Sequence, residues 1–309
     1  MTNNKTLKVL IIGYGSIGKR HKAVCEQLGY FVHVVSAHSK ESKFFFSSIK
    51  EGLSNFDPNY VVISNDTFKH LETIKELKSL NFNGNILIEK PIFASFSDVS
   101  MTNFKFVKVA YNLRFHPLVQ KLKDLLNGQS IISSYFYIGQ HLSEWRPNRD
   151  YRDVYSASRE KGGGVLLDLS HDLDLILYLL GDYKRLTAIG GKYSSLDISS
   201  DDIYGLLIQT EACPVISIQL NYLDRRAKRK ILINTNDHTF EADLISGELY
   251  IDKELVKFDL DYDDSYRIMH EHMMRERFET LCDYNEGMKI LNVVEKSIFA
   301  NEKEVWVNI

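Results

Sequence analysis

The 309-residue sequence is poor in cysteine and proline, with three and five residues respectively. Cys25, Cys213 and Cys282 lie far apart and form no CxxC pair, which argues against a zinc site, a redox motif or a disulfide framework. His270 and His272 alternate along a predicted helix, so their side chains point in different directions and do not form a joint ligand set. We therefore expect reduced cysteines and no metal.

An excess of charge of one sign is also missing. Lys and Arg number 38 against 41 for Asp and Glu, a formal net charge of -3. The basic run at 224–230 lacks interleaved aromatic residues, so no nucleic-acid partner is expected. The longest apolar run, 175–180, is far too short to cross a bilayer, and residues 1–5 carry no apolar signal core. These absences predict a soluble, cytoplasmic protein without a membrane partner.

The first third of the chain alternates short apolar strands with helices. Predicted strands are 8–12, 31–35, 60–63, 85–88 and 107–110, and predicted helices end near residues 28 and 80. Nearly continuous apolar strands are typical of a parallel sheet that is buried on both faces. Strand–helix alternation with short connections predicts an α/β fold, here an N-terminal Rossmann doubly wound parallel sheet.

The pattern changes after about residue 120. An apolar helix is predicted at 165–180 and a charged helix from 266 to 285. Most other segments are rich in β-branched and aromatic residues, and the predicted strands are 134–138, 186–193, 204–209, 215–222, 230–234 and 249–258. We therefore expect a second, α+β domain with an open, mostly antiparallel sheet, and a division into 1–118 and 119–309.

A glycine-rich turn follows the first predicted strand. Gly13, Gly15 and Gly18 form GxGxxG between strand and helix, with Tyr14, Ser16 and Ile17 at the intervening positions. The first glycine permits a tight turn, the second lets the backbone approach a pyrophosphate, and the third allows close helix–strand packing. The helix N-terminus then binds the phosphates. This context predicts dinucleotide binding, with a methyl donor on a similar sheet as the main competitor.

The end of the second predicted strand bears on which nucleotide is bound. An NAD site usually places Asp or Glu there to hold the ribose 2′-hydroxyl, but residues 34–40 contain no carboxylate. The polar residues there are instead Ser36, His38, Ser39 and Lys40, which suit a 2′-phosphate or simply form a solvated loop. This favours NADP slightly over NAD. The remaining predicted cofactor contacts follow the next strands: Asn65, Thr67, His70, Glu89 and Lys90.

Lys90 lies in Glu89-Lys90-Pro91, directly after a buried strand and on the edge where open α/β sheets bind ligands. A partly desolvated lysine there can hydrogen-bond a substrate oxygen and take part in proton transfer. A lysine beside a proline is otherwise usually a surface charge. Position alone leaves the two interpretations about even.

Four motifs together resemble the Gfo/Idh/MocA family of oxidoreductases over nearly the whole chain. They are GYGSIGKRH at 13–21, EKP at 89–91, YNLRFHP at 111–117 and GGGVLLDLSHDLD at 162–174. The resemblance implies a Rossmann domain and a second domain whose open sheet often mediates homo-oligomers. It also implies that Lys90 is the catalytic lysine and that Asp168 and His171 match the acid/base pair of the second domain.

Asp168 and His171 are three residues apart on the predicted apolar helix, so they would share a face and reach one cleft. Histidine titrates near neutral pH and can accept a hydroxyl proton as a hydride leaves the same carbon. The family more often separates the pair by four positions, which places the role of Asp168 in more doubt. The competing interpretation is an acid that stabilises the helix dipole and a packed histidine.

Residues 145–152 concentrate groups that bind sugars and anions, because arginine forks bind carboxylate or phosphate and aromatic faces stack on rings. Solvated pairing of these arginines with nearby acids is the alternative. The predicted substrate-binding residues are Lys90, Tyr111, Asn112, Arg114, His116, Trp145, Arg146, Arg149, Tyr151, Arg152, Asp168 and His171. This segment and the Asp-Leu-Ser-His sequence resemble members linked to bacterial surface-glycan synthesis, which implies an anionic sugar or nucleotide sugar.

The sequence therefore predicts an NAD(P)-dependent dehydrogenase or reductase that acts on a CH–OH carbon of a sugar, with Lys90 and His171 facing each other across the nicotinamide. Two alternatives stay open. One is a dinucleotide-binding sugar sensor without chemistry, although such proteins tend to lose the lysine–proline motif. The other is a reductase of a flat, non-sugar substrate.

Overall fold

The computed structural model describes residues 7–36, 44–145 and 149–309, which divide into two compact units. The first unit contains the chain up to Phe115 together with Tyr262–Met288, and the second contains His116–Asp261 and Lys289–Ile309. The linear division predicted at residue 118 lies close to the first crossing. It differs at Tyr262–Met288, which the sequence alone assigned to the second domain.

The first unit is built on a seven-stranded sheet. Its strands are β1 (Lys8–Ile12), β2 (Phe31–Val35), β3 (Phe45–Phe46), β4 (Tyr60–Ile63), β5 (Asn85–Ile88), β6 (Phe106–Val109) and β15 (Cys282–Asp283). The order β15-β6-β5-β4-β1-β2-β3 is parallel except for β15, which pairs antiparallel with β6. Order 3-2-1-4-5-6 is the doubly wound Rossmann arrangement, so the predicted fold of this region is confirmed.

Helices connect the parallel strands and cover the sheet. They are α1 (Ser16–Gln27), α2 (Ile49–Phe56) and α3 (His70–Ser79), and α7 (Asp264–Met274) joins them from the distal segment. The apolar residues of β1, β4 and β5 are almost completely inaccessible, as continuous apolar strands require when both faces are covered. This burial fixes the register, so that Ile12, Ile63 and Ile88 end side by side at one edge.

The second unit is built on a nine-stranded sheet. Its strands are β7 (Ile131–Gly139), β8 (Tyr183–Gly191), β9 (Ile203–Thr210), β10 (Val215–Asn221), β11 (Lys228–Thr235), β12 (Thr239–Asp243), β13 (Glu248–Ile251), β14 (Glu254–Lys257) and β16 (Val307–Asn308). The order is β14-β13-β12-β11-β7-β10-β9-β8-β16, and every pair is antiparallel except β7 with β10. The predicted open, mostly antiparallel sheet is confirmed.

Alternate residues of these strands face the core. In β9, Tyr204, Leu206 and Ile208 are buried, whereas Leu207 between them is exposed. Helices α4 (Pro117–Leu126), α5 (Val165–Asp168), α6 (Ser170–Leu180) and α8 (Tyr284–Lys303) complete the set of helices in the described residues. This alternation leaves one face of the sheet outward, as antiparallel sheets permit.

Three predicted elements are wrong in detail. The apolar stretch 165–180 is two helices, because Leu169 leaves helical geometry between α5 and α6. The charged helix expected from 266 to 285 ends at Met274, and α8 begins only at Tyr284. The strand expected at 249–258 is the hairpin β13–β14, in which Asp252 takes the left-handed conformation that a tight turn needs.

Within the described ranges, the helices are either too short or too polar to span a bilayer.

Candidate functional site

The three glycines of the turn after β1 meet three different steric demands. Gly13 has φ of 101°, and a Cβ there would lie 2.5 Å from the backbone nitrogen of Asn65. A Cβ on Gly18 would lie 2.1 Å from the carbonyl oxygen of Gly13, so this glycine lets α1 pack against the turn. Gly15 has an ordinary φ of -72° and nothing within 4 Å of its Cβ position. Only Gly15 therefore borders open space, where a pyrophosphate would approach.

Helix α1 begins at Ser16 with Gly15 as its N-cap, which supplies no side chain to the first-turn N–H groups. The first turn carries no acidic residue either. Backbone N–H groups and the positive end of the helix dipole therefore face the open side of the turn, a suitable setting for an anionic phosphate. Ile17 and Ser16 contribute to this setting through their backbones.

Asn65 follows β4 beside this turn. Its amide nitrogen donates to Thr73 Oγ1 at 2.8 Å, whereas its buried Oδ1 has no hydrogen-bond partner within the described part of the chain. A buried acceptor of this kind needs a donor, and a bound dinucleotide offers hydroxyl and amide donors. The cradle of Gly13, Gly15 and Asn65 thus fits a dinucleotide, which would supply hydride chemistry when bound.

His70 holds two loops at the same edge of the sheet. It is 1% exposed, and its ring nitrogens lie 3.1 Å from the carbonyl oxygen of Ile92 and 3.2 Å from that of Asn65. Burial lowers its pKa, and a neutral ring can donate to only one of these two carbonyl oxygens at a time. His70 therefore lies between the segment after β4 and the segment after Lys90, and its predicted contact with the cofactor stays a prediction.

Three other predicted cofactor residues lie in the segments that follow β1, β2 and β4. Tyr14 packs edge-on against Phe45, with ring centroids 5.0 Å apart, and Thr67 opens a short 3₁₀ turn after β4. Ser36 follows β2 directly, and its backbone N–H donates to Phe46. His38, Ser39 and Lys40 lie outside the described residues.

Glu89 and Lys90 follow β5 at the same edge as the glycine turn. Glu89 is 7% exposed, and its carboxylate accepts hydrogen bonds from His21 Nε2 at 2.8 Å and from the backbone N–H of Lys90 at 3.2 Å. Lys90 is half-buried. The register of β1, β4 and β5 places Gly13, Ser64 and Glu89 side by side, which brings the cradle and Lys90 to one edge of the sheet.

The segment after β6, predicted to contact substrate, is packed inside the first unit. Tyr111 is 2% exposed, and Asn112 donates to Ser265 Oγ at 2.7 Å. Arg114 is 1% exposed and forms an ion pair with Glu286 at 3.1 Å. Asn112 and Arg114 thus contact the returning segment Tyr262–Met288, and their predicted contact with a substrate stays a prediction.

His116, also predicted to bind substrate, caps helix α4. Its Nδ1 accepts from the backbone N–H of Leu118 at 3.2 Å, which leaves the proton on Nε2 for the carbonyl oxygen of Leu244 at 3.1 Å. Burial lowers its pKa to about 4, and Arg229 adds to that shift. Both ring nitrogens are therefore used in holding the second unit together.

Asp168 ends α5 and is 4% exposed. It accepts hydrogen bonds from Tyr155 Oη at 2.7 Å and from Tyr222 Oη at 2.5 Å. Burial, and then the adjacent Asp168, raise the pKa of Tyr222 well above its usual value, so this phenol stays a donor. Sequence reasoning missed both tyrosines, because nothing local links them to Asp168.

His171 lies in the first turn of α6 and is half-buried. The break at Leu169 separates it from Asp168, so the expected common helical face is wrong as a geometric argument. The following residue, Asp172, is fully buried and pairs with Arg229 at 3.2 Å. His171 thus stands between two buried carboxylates in sequence.

The predicted substrate-binding segment 145–152 contacts the surroundings of Asp168 through aromatic packing. Trp145 packs edge-on against Tyr222, with ring centroids 5.1 Å apart. Tyr151 lines a cavity of about 280 Å³, whose other lining residues are His141, Ser194, Ser195, Leu196, Leu223 and Arg225. Arg152 is held by Asp150, as the alternative of solvated pairing anticipated. Arg149 is exposed, and Arg146 lies outside the described residues.

The described ranges hold no cluster of three or more His, Cys, Asp or Glu side chains suited to a metal ion. His270 is fully buried, and its ring faces His21 and Tyr60.

Two family models match the chain. Residues 7–103 match the oxidoreductase family with an NAD-binding Rossmann fold, and residues 119–241 match the Gfo/Idh/MocA C-terminal domain. Together the two matched ranges cover most of the sequence, and each lies within one compact unit.

Solved structures of similar fold cover nearly the whole chain. A levoglucosan dehydrogenase in complex with NADH and L-sorbose is 17% identical, with a TM-score of 0.84 over 98% of both chains. A putative NADPH-dependent oxidoreductase from Desulfitobacterium hafniense is 16% identical, with a TM-score of 0.81 over 98% of both chains. At this level of identity the likeness shows the fold.

Curated relatives are similar over a shorter range. An uncharacterized oxidoreductase of Synechocystis sp. is 29% identical over 162 residues, which is 49% of this chain and 42% of that protein. The chain thus spans less than half the length of this relative.

Proposed function

This chain belongs to the Gfo/Idh/MocA oxidoreductase family, and on that premise we propose that it transfers a hydride between a nicotinamide dinucleotide and a CH–OH carbon of a sugar-like substrate. The observation that carries the proposal is the shared sheet edge of the first unit, where the open glycine cradle and Lys90 follow strands in register. Ligands of doubly wound sheets bind at this edge. A sugar substrate is supported by the levoglucosan dehydrogenase of similar fold.

Oxidation of an alcohol removes a hydride from carbon and a proton from oxygen, so a base and a group that orients the hydroxyl are needed. We propose Lys90 as the residue that binds the reacting oxygen and His171 as the residue that accepts the proton. Their support is the half-buried setting of each side chain and the family motifs that contain them. Asp168 is fixed by the hydroxyls of Tyr155 and Tyr222 and precedes His171 by three positions in sequence.

The proposal is tested by following NAD(P)H absorbance with a panel of sugars, polyols and uronic acids. Lys90→Met is expected to reduce kcat by about 100-fold or more, since positioned acid–base groups contribute this much. NADH affinity, measured by fluorescence, should change little. Lys50→Met is the matched control, because Lys50 is an exposed lysine on α2 of the same unit. Full turnover by Lys90→Met would remove the lysine from the mechanism, and cofactor binding without turnover of any substrate would favour a sugar sensor.

We propose that NADP is a better cofactor than NAD, because residues 34–40 contain no carboxylate that could hydrogen-bond a ribose 2′-hydroxyl. Ser36→Asp places an acid directly after β2 and is expected to shift the ratio of kcat/KM values toward NAD by about tenfold or more. Ser36→Asn is the uncharged control of equal size. Equal ratios in the two variants would show that the charge at this position does not select the nucleotide.

We propose that the substrate is an anionic sugar or nucleotide sugar used in the synthesis of a surface glycan. Its carboxylate or phosphate would distinguish it from neutral sugars. The support is Arg225 in the cavity that Tyr151 also lines, together with the exposed Arg149. A uronic acid should then exceed its neutral hexose in kcat/KM, and Arg225→Gln should reduce that preference. Turnover of neutral polyols alone would contradict this choice.

We propose that the outward face of the second sheet forms a homo-oligomer. Tyr135, Leu207 and Tyr250 are exposed there, and the strand register places them in one row across the sheet. The same row also contains Glu241 and Ser217, so the surface is mixed, and exposed apolar side chains grouped on one sheet face are typical of an interaction surface. Leu207→Glu should lower the molecular mass of the oligomer measured by light scattering. Lys50→Met, a substitution at an exposed position of the first unit, should leave this mass unchanged.

A further inference from the structure

Four buried side chains of the first unit form a continuous hydrogen-bonded row. Tyr60 Oη lies 2.9 Å from His270 Nδ1, and His270 Nε2 lies 2.8 Å from His21 Nδ1. His21 Nε2 lies 2.8 Å from Glu89 Oε1. The row joins β4, α7 and α1 to the residue before Lys90. Its two histidines, His21 and His270, are neighbours in space but 249 positions apart in sequence.

The direction of this row follows from proton counting. A carboxylate only accepts, so His21 donates from Nε2, and with a neutral ring it accepts at Nδ1. His270 then donates from Nε2 and accepts at Nδ1 from the hydroxyl of Tyr60. Burial, and then His21, lower the pKa of His270 well below its usual value, which agrees with a neutral ring. In this arrangement every donor in the row points toward Glu89.

The other carboxylate oxygen of Glu89 accepts from the backbone N–H of Lys90 at 3.2 Å. A carboxylate that is 7% exposed needs hydrogen-bond donors, because an unpaired buried charge is costly. The donors on Glu89 are His21 on one oxygen and the Lys90 backbone on the other, so His21 helps to hold Glu89 where it binds that backbone. The row ends at Tyr60, which is fully buried, so it does not lead a proton from this end to solvent.

We propose that Tyr60, His270, His21 and Glu89 are positioning residues that fix the backbone of Lys90 relative to helix α1, whose N-terminus forms the dinucleotide cradle. The expected effect on turnover rests on the proposed function, whereas the expected effect on the position of the Lys90 backbone does not. It gives His270, on the returning segment, a role in holding the reactive lysine. It also explains why His21 lies on the inner face of α1 with no exposed surface.

Two substitutions of His21 separate this role from simple packing. His21→Gln retains a donor near the position of Nε2, and therefore the bond to Glu89. His21→Asn retains a polar group near the position of Nδ1, and loses the bond to Glu89. The two variants break the row on opposite sides. A role in packing alone predicts equal effects, whereas positioning through Glu89 predicts that only His21→Asn disturbs Lys90.

The first readout is hydrogen–deuterium exchange of the Lys90 amide in the full-length protein, which does not depend on turnover. His21→Asn should accelerate this exchange by about tenfold or more, in keeping with the loss of a hydrogen bond to a charged group. His21→Gln should stay within about threefold of the wild type. Equal acceleration in both variants, or none in His21→Asn, overturns the proposal.

The second readout is steady-state kinetics with NADP+ and the best sugar of the panel. His21→Asn should lower kcat by about tenfold with little change in either KM, since Lys90 is displaced while both ligands still bind. Unchanged kcat in His21→Asn, with accelerated exchange, overturns the catalytic consequence. If the wild-type protein turns over no sugar, the proposed function fails and the exchange experiment still decides the structural claim.

Tyr60→Phe tests the same row from its far end if a His21 variant does not fold. The substitution removes only the hydroxyl and leaves His270 Nδ1 without its donor. Exchange of the Lys90 amide should rise, by less than in His21→Asn because two residues intervene. A rise confined to amides around Tyr60 contradicts transmission along the row.

Discussion

The pH dependence of the second unit's stability should be dominated near pH 5 by His116. The folded structure holds this ring neutral, with Nδ1 accepting from Leu118 and Nε2 donating to Leu244. Protonation would place an N–H at Nδ1 against the N–H of Leu118, at the positive end of α4. The geometry therefore agrees with a pKa lowered to about 4 by burial.

The sign and size follow from linkage. The pKa of His116 falls from 6.5 in the unfolded chain to about 4 in the folded protein, so between these values the unfolded state binds the extra proton. The stabilisation is thus fully present above pH 6.5 and is lost as the pH falls. For these two pKa values the loss from pH 8 to pH 5 is about 2 kcal/mol.

Urea unfolding followed by tryptophan fluorescence measures this loss, because Trp145 and Trp306 both lie in the second unit. His116→Asn is the matched variant, since asparagine is a favoured N-cap and does not titrate. Other histidines titrate equally in both proteins. The wild type should therefore lose about 2 kcal/mol more than the variant between pH 8 and pH 5, and a difference below about 0.5 kcal/mol would refute the assignment.

Three further predictions follow from close contacts. Gly13→Ala should abolish NADH binding and lower Tm, whereas Gly15→Ala should keep stability within about 1 kcal/mol and weaken NADH binding, as measured by calorimetry and fluorescence. Glu286→Ala should lower the Tm of the first unit, at a cost of about 3 kcal/mol, because it leaves the buried Arg114 without its acid. Tyr222→Phe should cost about 1.5–3 kcal/mol in urea unfolding, since Asp168 loses a donor; no loss would show that Asp168 does not depend on it.

The parallel sheet and the glycine cradle were predictable because their signals are local. A continuous apolar strand, three glycines at fixed spacing and a helix after them specify the cradle within residues 8–28. Lys90 was predictable for the same reason, since it follows a short apolar strand. Helix α2 also carries a local signal in the sequence. Ser48 caps it and Glu51 reaches back to Ser47, so the Ser-x-x-Glu pattern marks its start.

Features that depend on distant residues were not predictable. The break between α5 and α6 occurs at Leu169, inside an apolar run without glycine or proline, so no local residue marks it. Asp168 is fixed by Tyr155 and Tyr222, and the second of these comes from the end of β10, 54 positions away. Strand β12 does alternate exposed and buried residues, but it is only five residues long, and its pairing with β11 and β13 defines it.

The return of Tyr262–Met288 to the first unit is the deepest reason why a linear division fails. This segment supplies Ser265 to Asn112, His270 to His21 and Glu286 to Arg114, and its β15 extends the sheet beside β6. Each contact adds a partner to a polar group that the N-terminal residues bury. A Rossmann domain cut at residue 118 would keep its glycine cradle, yet it would bury the charge of Arg114 without Glu286 and leave the row to Glu89 incomplete. The segment that reads as a separate helical region is therefore part of the structure that holds Lys90 in place.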